Sequence, residues 1–213
     1  MNRHLVLLGD SIFDNASYVP GGRPAVIDQV RSRLPDGWSA TLLARDGSVI
    51  EDVLRRQLPN LPADATHVVL SVGGNDILGR IRILYEPAAT VGDALRILLE
   101  SRTAFGEEHR RLLQAIRKRG LPAVVCTIYN PCSDDDAFQR AAVAALCLYN
   151  DAIIDNARRF GLPLIDLRAV CSEIADYANE IEPSALGGAK IAEAVFRVVT
   201  GHDFGAGRSV IVP

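Results

Sequence analysis

The sequence of 213 residues lacks the features that several common protein classes require. Lys and Arg number 23 against 26 Asp and Glu, so the net charge is -3 and no excess positive charge is available to bind a phosphate backbone. No apolar run approaches the ~18 residues of a membrane span, and the apolar run at residues 5–8 is too short for a secretory signal. The composition argues against nucleic-acid or membrane binding and predicts a cytoplasmic location.

Metal, redox and phosphate-binding motifs are also missing. The four cysteines, at positions 126, 132, 147 and 171, show neither CxxC spacing nor a neighbouring pair of histidines. No GxGxxG follows the first apolar run, and the segment at residues 187–190 lacks the leading glycine of a P-loop. We therefore expect neither a metal nor a cofactor.

Short apolar runs alternate with longer amphipathic stretches, which is typical of a parallel sheet covered by helices on both faces. The predicted strands are residues 5–9, 40–44, 67–72, 123–128 and 164–167. The long connection at 77–119 is expected to hold a pair of helices. Without internal repeats or a linker-like segment, residues 1–213 are predicted to form a single domain, a flavodoxin-like α/β/α sandwich with five parallel strands.

In such a sandwich, ligands bind outside the carboxyl ends of the strands, so the turns that follow the strands are the places to look for chemistry. The first turn contains Ser11, the second Gly47 and the third Asn75. Ser11 alone could equally be a helix N-cap. The other two turns supply a glycine amide and a side-chain amide, which can donate to the oxyanion formed when a serine attacks a carbonyl.

These turns resemble the first three blocks of the SGNH or GDSL hydrolases, a family whose four blocks centre on Ser, Gly, Asn and His. The matching segments are Gly-Asp-Ser-Ile-Phe-Asp-Asn at 9–15, Gly47, and Gly-Gly-Asn-Asp at 73–76. The resemblance extends from residue 5 to about residue 199. It implies a hydrolase of carboxylic esters or an acyl transferase, with Ser11 as nucleophile and with Gly47 and Asn75 completing the oxyanion hole.

The fourth block departs from the family pattern Asp-x-x-His-Pro. The corresponding segment, 179–183, reads Asn-Glu-Ile-Glu-Pro, so Glu182 stands where the family has its catalytic His and Asn179 replaces the Asp that would orient it. None of the four histidines is an obvious substitute. His202 follows the terminal helix and is expected roughly one helix length, about 20 Å, from Ser11.

Two interpretations follow from this departure. In the first, the chain hydrolyses small-molecule esters or thioesters through an acyl-Ser11 intermediate, with Glu182 as general base and Asn179 donating a hydrogen bond to it. A glutamate base titrates from about 4.3 upward as burial raises its pKa, so we expect an acid limb of activity below about pH 6. In the second, the site has lost catalysis and the protein binds an acyl or glycosyl ligand on the same scaffold.

Two further residues near these turns are candidates for substrate binding. Arg45 could bind a substrate carboxylate, pair with Glu182, strengthen the oxyanion hole, or simply be a solvated side chain. Asp10 could hold the Ser11 turn through backbone N–H groups. The natural substrate and the oligomeric state are left open by the sequence.

Overall fold

A computed structural model describes residues 2–213 and contains one six-stranded sheet. All neighbouring strands are parallel, in the spatial order β2-β1-β3-β4-β5-β6. The strands are β1 (Arg3–Gly9), β2 (Trp38–Leu42), β3 (His67–Ser71), β4 (Ala123–Cys126), β5 (Leu164–Ile165) and β6 (Ile211–Val212). The predicted sandwich and its first five strands are confirmed, whereas β6 was missed because two residues carry no periodic signal.

Within residues 2–213, seven α-helices and several single turns connect the strands. The helices are α1 (Val26–Arg33), α2 (Ile50–Asp52), α3 (Gly74–Leu78), α4 (Val91–Arg117), α5 (Asp136–Phe160), α6 (Leu167–Val170) and α7 (Ala185–Gly201). A π-helical turn, Val53–Gln57, continues α2, and a 3-10 turn, Ile81–Tyr85, precedes α4. No helix within residues 2–213 is long and apolar enough to cross a lipid bilayer.

The connection at 77–119 differs from the predicted helix pair. It contains the end of α3, the 3-10 turn Ile81–Tyr85 and the single long helix α4. The Thr90 side chain accepts a hydrogen bond from the Asp93 N–H and so fixes the start of α4. No proline interrupts the next 27 residues, so one continuous helix forms.

Two hydrophobic cores lie on opposite faces of the sheet. Along β1, Leu5 and Leu7 face the core under α1 and α7, whereas Val6 and Leu8 face the core under α4 and α5. This alternation is the period-two pattern of a strand buried on both faces. The predicted inner face of α5 is confirmed, because all its members are buried: Ala142, Leu146, Tyr149, Ile153 and Ala157.

The carboxyl ends of β1 and β3 approach each other unusually closely at Gly9. Gly9 has a φ of +132°, and a Cβ at this position would lie 1.7 Å from the carbonyl oxygen of Ser71. The Gln57 side chain accepts from the Gly9 N–H and donates to the Gly9 carbonyl, both at 2.8 Å. Only glycine fits here, and the approach places the turn after β1 beside the turn after β3.

Candidate active site

A cavity of about 280 Å³ opens at the carboxyl edge of the sheet, beyond the ends of β1 and β3. Ser11, Asn75 and Glu182 all line it, as does Asp10. The cavity thus brings together one side chain from the turn after β1, one from the start of α3 and one from the loop before α7. Gly47 lies outside the lining, in the exposed turn after β2, where its φ of +76° favours glycine.

The predicted oxyanion donors are available for a ligand. The backbone N–H groups of Ser11 and Gly47 donate to no acceptor within residues 2–213. The side chain of Asn75 donates to the Ser48 carbonyl oxygen at 3.1 Å, which leaves its second N–H free. This hydrogen bond also ties the third turn to the second.

Glu182 is a buried carboxylate with an unsatisfied oxygen. Only 5% of the residue is exposed, and its Oε2 is buried without a hydrogen-bond partner. Burial raises the pKa of Glu182 to about 7, the nearby Ser11 hydroxyl lowers it, and the negative charge of Asp46 adds to the rise. The Ser11 hydroxyl is therefore close to the carboxylate, although no hydrogen bond of full geometry joins them.

The backbone around Glu182 is fixed by the loop itself. Asn179 Oδ1 accepts from the N–H groups of Ile181 and Glu182, both at 2.9 Å, and the Ala178 N–H donates to the Glu182 carbonyl at 2.8 Å. The prediction that Asn179 donates to the Glu182 carboxylate is wrong, because Asn179 is exposed and its oxygen holds the backbone instead. The Asn179 side chain therefore positions Glu182 through its backbone N–H and not through its carboxylate.

Two buried polar side chains to which the sequence pattern assigns no role connect the site. Asn15 donates to the Pro183 carbonyl at 3.1 Å and accepts from the Val26 N–H at 2.9 Å, which links the loop that carries Glu182 to the segment after Ser11. Tyr129 donates to the Ile181 carbonyl at 2.6 Å. The partners of both side chains are backbone groups distant in sequence, which the fold brings together.

Two further carboxyl groups lie near Ser11. Burial raises the pKa of Asp10 to about 8, and the charges of Glu182 and Asp76 add to the rise, whereas the Ile12 N–H, which donates to Asp10 at 3.2 Å, opposes it. Burial likewise raises the pKa of Asp76 to about 6, although the hydrogen bond that Asp76 accepts from the Ile50 N–H lowers it. The site therefore keeps part of its carboxyl groups protonated near neutral pH.

Comparison with known proteins is decisive for the family. Residues 7–189 match the model of the GDSL-like Lipase/Acylhydrolase family. The chain belongs to that family. Its members hydrolyse esters, so the family places this chain among the ester-hydrolysing enzymes. No curated protein matches the sequence significantly.

Several solved structures share the fold of this GDSL-family protein. A lipolytic G-D-S-L protein from Veillonella parvula has a TM-score of 0.69 at 16% identity over 94% of this chain and 100% of its own. An extracellular lipase from Streptomyces rimosus has a TM-score of 0.65 at 16% identity, over 94% of this chain and 100% of its own. An acetyl xylan esterase from Geobacillus stearothermophilus has a TM-score of 0.62 at 17% identity, over 92% of this chain and 93% of its own.

In this GDSL-family chain, no histidine stands at the position of the catalytic His in the Asp-x-x-His-Pro block. His202 and His67 line a separate cavity at the amino edge of the sheet together with Phe204. His4 contacts Asp64 and Thr41, and His109, a residue of α4, is buried against Phe105 and Asn156. None of the four histidines lines the cavity with Ser11, whereas Glu182 does.

Arg45 takes no part in the cavity. Its side chain is exposed and makes no ion pair within residues 2–213, and it is not among the groups that perturb Glu182. Its backbone N–H donates to the Gly9 carbonyl at 3.0 Å, so the residue contributes through its main chain. With no cation beside Glu182, burial prevails and raises the pKa of Glu182 to about 7, so an acid limb set by this group is expected near pH 7 rather than below about pH 6.

The acidic run at 134–136 serves the start of α5. Asp135 accepts from the N–H groups of Ala137 and Phe138, at 2.9 and 3.1 Å, as a helix N-cap. Across the described chain, residues 2–213, no group of three or more His, Cys, Asp or Glu side chains is arranged to hold a metal ion.

The buried Glu182 carboxylate predicts a pH-dependent effect of its removal on stability. A native pKa of about 7, above the unfolded value of about 4.3, means that the carboxyl contributes fully below about pH 4 and loses that contribution as the pH rises through 7. Glu182→Gln should therefore gain about 1–2 kcal/mol of unfolding free energy relative to the native protein between pH 4 and pH 8. The expected gain is smaller than the sum of 1.36 kcal/mol for each unit of the pKa shift, because the cavity admits water.

Urea unfolding of both proteins across this range measures the difference. The matched control is Glu86→Gln, at an exposed glutamate that forms no ion pair within residues 2–213, for which we expect no pH-dependent difference. A Glu182→Gln difference that is flat with pH would contradict the raised pKa.

Proposed function

We propose that this protein hydrolyses carboxylic esters, or thioesters, of small molecules through an acyl-Ser11 intermediate, with Glu182 as general base in place of histidine. One observation carries the proposal. The partnerless Oε2 of the buried Glu182 lies in the same cavity as Ser11, close enough for the serine hydroxyl to lower the pKa of the carboxyl. The solved structures that share this fold include a lipase and an acetyl xylan esterase, which is consistent with the proposal.

In the first half of the reaction, Ser11 Oγ attacks the carbonyl carbon of the ester and its proton passes to the Glu182 carboxylate. A base with a pKa of about 7 is suited to this transfer at neutral pH, because it is substantially ionised yet basic enough to take the proton. Collapse of the tetrahedral intermediate breaks the bond between the carbonyl carbon and the alcohol oxygen. Glu182 then gives its proton to the departing alcohol, which leaves the acyl group on Ser11.

In the second half, a water molecule attacks the acyl carbon and gives a proton to Glu182. The bond to Ser11 Oγ breaks, Glu182 returns the proton to the serine, and the carboxylic acid departs. Ester and water are thus converted to alcohol and acid, and the enzyme is regenerated.

The oxyanion formed in both halves needs donors that are not already used. The N–H groups of Ser11 and Gly47 are free, and the amide of Asn75 keeps one N–H free while the other holds the Ser48 carbonyl. We assign these three groups to the oxyanion hole. Preorganised donors of this kind usually provide the largest single contribution to rate acceleration.

The nucleophile can be tested by covalent labelling with a fluorophosphonate. The native protein should be labelled at one residue, and Ser11→Ala should lose both labelling and ester cleavage, because the variant lacks the proposed nucleophile. Ser17→Ala, at an exposed serine outside the cavity, is the control and should be labelled as the native protein is. Failure of the native protein to react would favour a binding protein without turnover, and labelling that persists in Ser11→Ala would place the nucleophile elsewhere.

The role of Asn75 is tested by Asn75→Ala. Removing one oxyanion donor should lower kcat by about 10²–10³-fold with little change in KM, since the donor acts on charge that develops only in the transition state. Steady-state kinetics on a p-nitrophenyl ester gives both constants. Asn60→Ala, at the end of the 3-10 turn Leu58–Asn60 and outside the cavity lining, should leave both unchanged. A loss confined to KM would instead make Asn75 a substrate-binding residue.

A further inference from the structure

We propose that the acyl group of the substrate is an unbranched apolar chain of medium length, which lies in the apolar part of the cavity beside Ser11. This inference rests on the proposed function, because it assigns the cavity to the acyl half of the ester. A preference for such an acyl chain would distinguish this protein from an esterase that acts on acetyl groups.

The walls of the cavity away from Ser11 are apolar. One wall comes from α5, which contributes Phe138, Ala142 and Leu146, and the facing wall comes from the 3-10 turn Ile81–Tyr85 before α4, through Ile83 and Leu84. The acidic lining residues beside Ser11 are Asp10 and Glu182. The two other charged lining residues have partners outside the cavity lining, Arg80 with Glu108 and Glu180 with Ser133. An apolar pocket with a polar group at one end is suited to a ligand with an apolar tail and a reacting head.

The size of the cavity sets the length of the chain. A methylene group occupies about the same volume as a water molecule in the liquid, ~30 Å³. The cavity of about 280 Å³ therefore takes a chain of roughly six to ten carbons. An acetyl group would leave most of these apolar walls in contact with water, whereas each further methylene buries more of them.

The opposite side of Ser11 suits the alcohol half of the ester. It is formed by the exposed turn after β2, where the Asp46 N–H donates to Asp14 at 2.9 Å and Tyr18 donates to the Asp46 carboxylate at 2.8 Å. This surface is polar and open to water, so a departing alcohol can leave there directly. The acyl chain stays on the enzyme in the acyl intermediate. We therefore assign it to the apolar cavity.

Ala142 is the position on which the length of the cavity depends. It is 9% exposed and lines the cavity, one helical turn before Leu146, which lines it as well. Its neighbour Ala141 points outward and is exposed. A larger side chain at 142 would fill the space that the chain needs, and a larger one at 141 would project into solvent.

The first experiment compares kcat/KM for p-nitrophenyl acetate, butyrate, hexanoate and octanoate. Each buried methylene should raise kcat/KM by up to about fourfold until the cavity is full, so octanoate should exceed acetate by at least about tenfold. Acetate cleaved as well as octanoate would overturn the proposal. Octyl acetate serves as the orientation control, and cleavage of octyl acetate faster than of ethyl octanoate would overturn it too.

The second experiment changes the cavity. Ala142→Leu should lower kcat/KM for octanoate by at least about tenfold and leave acetate within about twofold, whereas Ala141→Leu should leave the native profile unchanged. Leu146→Ala should shift the preferred acyl chain to greater length. A variant that merely unfolds could not produce this shift. Parallel losses on acetate and octanoate in folded Ala142→Leu, or an unchanged profile in both cavity variants, would contradict the proposal.

A binding measurement separates failure of this inference from failure of the proposed function. Calorimetric titration of Ser11→Ala with methyl octanoate and with methyl acetate requires no catalysis. Tighter binding of methyl octanoate, abolished by adding Ala142→Leu, supports the acyl cavity even if the protein proves inactive. Equal binding of the two esters overturns the cavity assignment even if Ser11 proves to be the nucleophile.

Discussion

The close approach of β1 to β3 at Gly9 is the constraint on which the rest of the site depends. With no Cβ at this position, the Gly9 backbone can lie against the Ser71 carbonyl, and Gln57 can bind both the N–H and the carbonyl of Gly9. The turn that carries Ser11 is therefore held beside the turn that carries Asn75. A parallel sheet brings its carboxyl ends to one edge in any case, and this contact sets how closely they meet.

The second constraint is the burial of the Glu182 carboxylate, which costs stability when the group is ionised and raises its pKa to about 7. An ordinary glutamate would be ionised at neutral pH but too weak a base to take a serine proton efficiently. Burial moves the carboxyl towards the basicity of an imidazole. The unsatisfied Oε2 is consistent with a group kept for proton transfer rather than for stability.

The sequence predicted most of the fold and most of the lining of the polar end of the cavity. Periodic apolar runs located five strands and the inner face of α5, because long buried elements leave a regular pattern, whereas the two-residue β6 leaves none. Motif spacing located Ser11, Asn75 and Glu182, which all line one cavity. Gly47 remains a proposal, since it lies at the exposed turn beside the cavity.

The errors of the sequence interpretation concern side-chain direction and solvation. Asn179 was expected to donate to the Glu182 carboxylate but accepts from the backbone. Of the alternatives left open for Arg45, the structure shows the solvated side chain. Gln57 and Asn15 were not singled out because their partners are backbone groups distant in sequence. Hydrogen-bond partners and burial depend on tertiary packing, and a local pattern does not encode them.

The central claim, that Glu182 takes the Ser11 proton, is tested most directly by the temperature dependence of the acid limb of kcat/KM. A midpoint near pH 7 would not by itself distinguish this carboxyl from an imidazole, which titrates near about 6.5. Carboxylic acids ionise with almost no heat, however, whereas imidazolium ionises endothermically. The account predicts a midpoint near 7 that stays fixed on warming and is lost in Glu182→Gln, while Glu182→His gives a midpoint that falls on warming. A native midpoint that falls on warming, or a Glu182→Gln enzyme that keeps its acid limb, would contradict it.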